Sequence, residues 1–137
     1  MLAYHTTSNR SAALIAKSGF RVPQRASHSA TDAAGMGGSF FRAVFVTKKK
    51  PSPRASGAHA SLPYGPALIT VRLRGKYIPW QQRPDELFVD ALYRHIRAAK
   101  RLSVAGIDTG RDDYGVLVVD PRAIQIVRVE YDKYPSW

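Results

Sequence analysis

The chain has no cysteine, which excludes disulfides, thiolate zinc sites and a cysteine nucleophile together and leaves the fold to core packing. No apolar run approaches the roughly 18 residues of a membrane span, and the N-terminus lacks the apolar stretch of a signal peptide. Glycine-rich dinucleotide, P-loop, HExxH and GxSxG patterns are all missing, so the commonest nucleotide, metalloprotease and serine-hydrolase templates do not apply. The four histidines, His5, His28, His59 and His95, have no metal-ligand spacing, and no metal is expected. His95 stands among arginines in a helical stretch and reads as a surface residue. Acids are scarce in one part of the chain: Asp32 is the only one in residues 1–84.

What the chain does have is positive charge. It carries 21 Lys and Arg against 10 Asp and Glu, a net of +11 over 137 residues. Residues 1–84 hold 13 basic residues and a net of +12, whereas residues 85–137 hold 8 against 9 acids, a net of −1. A solubilising surface needs no such asymmetry. The imbalance favours a polyanionic partner, nucleic acid before a membrane surface or an acidic inhibitor protein. The length suits a single domain over residues 1–137. The early first strand and abrupt end are expected of a domain cut from a longer polypeptide and equally of a short natural protein.

Leu2–Thr7 reads as a short strand, and Ser8 or Asn9 can cap a helix that Gly19 ends. Residues 21–39 are small, polar and glycine-rich, a loop. FFRAVFVT (40–47) reads as a buried strand, and KKKPSPRASGAHAS (48–61) as a basic loop with a helical turn near its end. ALITVRLRGKYI (67–78) alternates, with Ile69, Val71 and Leu73 inward and Arg72 and Arg74 outward, which predicts one half-buried strand. Residues 84–102 predict a helix with Pro84 in its first turn and Leu87, Phe88, Ala91, Leu92, Ile96 and Ala99 on its buried stripe. Residues 115–121 and 124–131 predict two strands joined by a tight Asp-Pro turn. The order is β-α-β-β-α-β-β, an α+β domain.

Three segments carry the chemical signal: YHTT before a helix ending in SGF, a glycine-rich loop (GMGG) feeding GSFFRAVFVT, and DDYGVLVVDPRAIQIVRVEY. In this order they resemble the ADP-ribosyltransferase superfamily, closest to the histidine–tyrosine–acid branch of diphtheria-like toxins and poly(ADP-ribose) polymerases. Small C-terminal domains of bacterial polymorphic toxins are similar. The resemblance implies split antiparallel β-sheets that form an NAD cleft, with a few flanking helices. It implies that His5 contacts a ribose hydroxyl, that the Thr6 backbone takes the nicotinamide amide, and that Thr7 and Ser39 add NAD contacts. The family's stacking tyrosine falls on Phe45, which keeps a π-face but loses the hydroxyl. The usual glutamate falls on Gly115, so the catalytic carboxylate is expected from Asp113, with Asp112 in reserve. Plain alternatives stand beside each: a solvated His5, a core Phe45, ordinary turn aspartates.

The resemblance therefore implies an NAD-dependent ADP-ribosyltransferase toxin domain, NAD being a co-substrate and no metal being needed. The charge points to structured RNA as acceptor, with Arg42, Lys48, Lys49, Lys50, Arg54, Arg72, Arg74 and Lys76 holding phosphates. Tyr64, Tyr77 and Trp80 lie among these cations, placed either to stack bases or to fill the core. A toxin domain also implies delivery by secretion into the cytoplasm of a target cell, and an acidic cognate immunity protein. The alternatives are a protein-targeting transferase, a tRNA 2′-phosphotransferase-like enzyme faintly echoed by Arg21, Arg25 and His28, a basic ribonuclease toxin using His5 or His28, and a non-catalytic RNA-binding domain.

Overall fold

The computed structural model describes residues 1–21, 43–50, 67–110 and 115–131. β1 spans Leu2–Thr7 and α1 spans Asn9–Ser18. The Ser8 hydroxyl accepts from the Ser11 N–H at 3.1 Å, which satisfies a first-turn amide that the helix cannot. Gly19, at φ 79°, closes α1 by donating its N–H to the Ile15 carbonyl. β2 covers Val44–Val46 and β3 covers Ala67–Leu73.

The single strand expected over 67–78 is in fact two. Gly75 adopts φ 84° and turns the chain, and Tyr77–Pro79 becomes β4 in the other sheet. A Cβ at Gly75 would lie 3.0 Å from Ala105 Cβ, so the turn sits closely against the following connection. The long helix also differs from expectation. α2 spans Phe88–Arg101, because Asp85 takes φ 64° and keeps Pro84 in a turn outside it. Glu86 holds that turn to the helix. Its carboxylate accepts from Arg94 Nε at 2.9 Å and Nη2 at 2.8 Å, and from the Arg83 N–H at 3.0 Å. These bonds, Arg94 foremost, hold the Glu86 carboxyl down to about 2.

β5 (Gly106–Asp108), β6 (Val116–Val118) and β7 (Ile124–Glu130) complete the chain, with a 3₁₀ turn at Pro121–Ala123. Asp120 accepts from the Arg122 N–H and opens that turn, as the Asp-Pro pair indicates. β4 and β5 were not anticipated; three-residue strands are too short to show a period.

The strands form two sheets, β1-β3-β7 and β2-β6-β5-β4. The first is antiparallel throughout. The second is mixed, which corrects the all-antiparallel expectation: β4 pairs with β5 in parallel, because the chain crosses between them through α2. The architecture is α+β. Among the described residues no helix is long and apolar enough to cross a membrane.

Two cores follow from this layering. Ala3, Ile69 and Val71 of the first sheet meet Val46, Val116 and Val118 of the second, with Ala12 of α1 against them. The opposite face of the second sheet presents Ile107 and Leu117 to Leu92, Ile96 and Ala99 of α2. A sheet buried on both faces reads as an uninterrupted apolar run, which is why VLV shows no alternation. His95 belongs to this second core and is not a surface residue: it is 3 % exposed. The 91–95–99 spacing sets it on the buried stripe, where its ring stacks on Trp80 with centroids 4.4 Å apart. Its Nδ1–H donates to the Ala91 carbonyl and its Nε2 accepts from the Gln81 N–H at 2.9 Å. Trp80 and Tyr77 are likewise packed against cores, so neither is a free base-stacking platform.

Leu92→Ala should lower the unfolding free energy by about 2–5 kcal/mol, read from denaturant melts, because it leaves a cavity between α2 and the sheet. The exposed Arg97→Ala should stay within about 0.5 kcal/mol of the parent.

Candidate functional site

The two sheets meet at one antiparallel pair. Tyr4 and Thr47 exchange N–H···O bonds, both at 2.8 Å. Toward Thr7 on one side and Val44 on the other, β1 and β2 no longer pair. Antiparallel ladders place hydrogen-bonding groups of alternate residues on the same edge. The peptide groups of Thr6 and Phe45 therefore share the edge that Tyr4 and Thr47 use, but at a point where the strands have parted. His5 partly closes this gap: its Nδ1–H donates to the Phe45 carbonyl at 2.8 Å. That bond satisfies an acceptor that the divergence would otherwise strand.

A cleft of about 430 Å³ opens there, lined by His5, Thr7 and Phe45 together with Ile15, Phe20 and Arg21. Small-molecule sites run from roughly 300 to 1,000 Å³, so the volume is suitable. Phe20 meets the His5 ring edge-on, with centroids 5.2 Å apart at 86°. Burial pushes the His5 pKa below 6.5, and the Phe45 carbonyl opposes this only in part. The imidazole is thus neutral, with its proton on Nδ1. Nε2, which has no hydrogen-bond partner among the described residues, keeps a lone pair. The ring was expected to offer a ligand both a donor and an acceptor. Its donor is spent inside the protein, so a ligand hydroxyl would have to donate to it.

His5, Thr7 and Phe45 thus lie along one cleft, and Thr6 reaches its opened edge through the backbone. The Phe45 ring packs with the α2-side core, while its carbonyl serves His5. Asp112, Asp113, Ser39, Arg42 and Arg54 lie outside the described residues. Gly115 is described and informative. At φ 57°, a Cβ there would collide with the Val46 carbonyl oxygen, so no glutamate fits where the family's acid aligns.

Among the described residues, the expected phosphate-binding cations do not line this cleft. Lys48 pairs with Asp108 at 2.8 Å, both side chains about a third exposed. Burial alone would raise the Asp108 carboxyl, but the Lys48 ammonium and the Gly110 N–H hold it below its usual value. Lys49 and Lys50 are exposed beyond the Tyr4–Thr47 bridge. Arg72, Arg74 and Lys76 are exposed at and beyond the end of β3 away from Ile69, the cross-strand partner of His5. Among the described residues, the cation at the cleft is Arg21. The sequence pointed to Arg21 only through the faint 2′-phosphotransferase echo and to Phe20 only as the end of SGF, and it gave neither a role in this cleft; the available signal was the glycine cap that ends α1 just before them.

Comparisons with protein-family models, curated proteins and solved structures find no match to this chain. The cleft must be interpreted from its own chemistry.

Because the folded-state pKa of His5 is depressed, the unfolded chain binds more protons below pH 6.5 and stability must fall as pH drops through that value. His5→Gln, which cannot be protonated, should flatten this part of a stability–pH profile measured by chemical denaturation. An equal slope in both proteins would show that His5 titrates normally.

Proposed function

We propose that this chain is an NAD-dependent ADP-ribosyltransferase domain, of the kind found in polymorphic toxins, with structured RNA as its acceptor. The observation that carries the reading is the parted β1–β2 edge beside a neutral His5. The Thr6 N–H and carbonyl on that edge offer the complementary pair that a nicotinamide carboxamide requires, and His5 Nε2 accepts from a ribose hydroxyl. These groups fix the leaving group and the sugar on either side of the bond to be broken.

The chemistry asks little more of the protein than placement and field. The C1′–nicotinamide bond breaks with its electron pair on the departing nicotinamide, whose ring nitrogen becomes neutral. An acceptor oxygen or nitrogen of the RNA then bonds to C1′ and gives up its proton to solvent or a nearby base. A carboxylate close to the forming oxocarbenium charge lowers the barrier. Asp113, with Asp112 in reserve, is proposed for that role, since Gly115 leaves no room for a side chain. Arg21, at the cleft, suits the pyrophosphate. The excess positive charge supports RNA over protein as acceptor, because transfer to a protein side chain makes no demand for it.

Incubation with radiolabelled NAD and total RNA should place label on RNA. Asp113→Ala should lower transfer by about a hundredfold or more without moving the melting temperature, and His5→Ala should lower it comparably. Label on protein would move the acceptor. No NAD turnover, with RNA either cleaved or merely bound, would replace the transferase reading with a ribonuclease or an RNA-binding domain.

A further inference from the structure

A further concavity, of about 670 Å³, lies past the end of β3, away from Ile69, the cross-strand partner of His5. Three connections build it: the β3–β4 turn with Arg74 and Lys76, the α2–β5 turn with Ser103 and Ala105, and the β6–β7 turn with Asp120 and Arg122. Its floor is tied by backbone bonds. The Lys76 carbonyl accepts from the Ala105 N–H at 2.8 Å, and the Arg74 N–H donates to the Ala123 carbonyl at 2.8 Å. The Ala105 carbonyl accepts from the amides of Val119 and Asp120 at 2.8 and 3.1 Å. Left-handed residues at Gly75 (φ 84°) and Ser103 (φ 55°) let two of the turns close on one another.

The groove is basic: Arg74, Lys76 and Arg122 line it, and all three are exposed. Asp120 is the acid among the lining residues, and Arg122 already engages it at 3.0 Å. Gln125 orients the Arg74 guanidinium, accepting from it at 2.6 Å without removing its charge. These cations come from two separate connections rather than from one point, which suits a chain of phosphates better than a single small anion.

We propose that this groove docks the phosphodiester backbone of RNA, at a site separate from the cleft. The footprint thereby gains Arg122, which lies outside the basic stretch of the sequence and stays 89 % exposed beside Asp120, and loses Lys48, whose side chain is only 30 % exposed against Asp108. Ile69 pairs with His5, and Arg74 lies five residues further, roughly 17 Å along the strand. An RNA held in the groove must span at least that distance to present a nucleotide at the cleft. A folded RNA with a stem does so, whereas a dinucleotide does not. The assignment rests on the RNA acceptor of the proposed function but not on its NAD chemistry, so a binding experiment without NAD lets the two fail separately.

The test is fluorescence anisotropy with a labelled RNA hairpin over a range of salt concentrations. The probe proteins are the triple variant Arg74→Ala, Lys76→Ala, Arg122→Ala and a charge-matched control, Arg10→Ala, Lys17→Ala, Arg83→Ala. All six side chains are exposed, so both should melt with the parent. The groove variant should bind about tenfold more weakly or worse and reduce the slope of log K against log salt by about 2–3. The control should lose far less, and Arg74→Lys alone should keep the parental slope. Equal losses in both triple variants would reduce the effect to net charge and overturn the groove. Unchanged RNA binding in the groove variant would also overturn it.

Discussion

The structure turns on the pair of hydrogen bonds between Tyr4 and Thr47. They join two sheets that otherwise have separate partners, and they stop one residue short of where the site begins. Had β1 and β2 continued to pair, Thr6 and Phe45 would have satisfied one another and no polar edge would face a cleft. Had the bridge been missing, the edge would have no fixed partner across the gap. His5 works inside that constraint: it satisfies the Phe45 carbonyl, accepts burial as the cost, and is left neutral, with an Nε2 lone pair that no described residue engages.

The layering explains why a helix can be devoted to the second sheet without blocking the cleft. α2 covers the face carrying Ile107 and Leu117, while the first sheet and α1 close over the face carrying Val116 and Val118. Trp80 and His95, stacked at an interplanar angle of 9°, tie the entry of β4 to α2 and use a polar ring as core filling. That ring is tolerable there because both nitrogens are bonded.

Charge is organised by the fold rather than by position in the chain. Several cations of the basic stretch serve structure or stand away from the cleft, and Lys48 is committed to an acid sixty residues away. Meanwhile Arg122, from the nearly neutral part of the chain, joins Arg74 and Lys76 around one groove. A potential computed from segments would miss this, because electrostatics depends on distance through space and loops from remote segments meet.

β1, α1 and β7 were legible because each has a clear local signature: a capping serine, a closing glycine, or a sustained apolar pattern. The inward side of β3 was legible too, and so were the Asp-Pro turn and the candidacy of His5. The break at Gly75 and the late start of α2 were not, since each rests on a left-handed residue whose cost is met by packing elsewhere. His95 was misread because its arginine neighbours point outward while the helical period turns it inward. Phe20 and Arg21 were legible only as the end of SGF and as part of a faint signature, and nothing local placed either at the cleft. The amino-acid sequence by itself determined the local elements, the absence of thiol chemistry and the positive field, all properties of residues and near neighbours. Only the tertiary structure decided where two strands part, which face of each sheet is covered and which distant cations share a groove, because those depend on contacts between segments that no local period records.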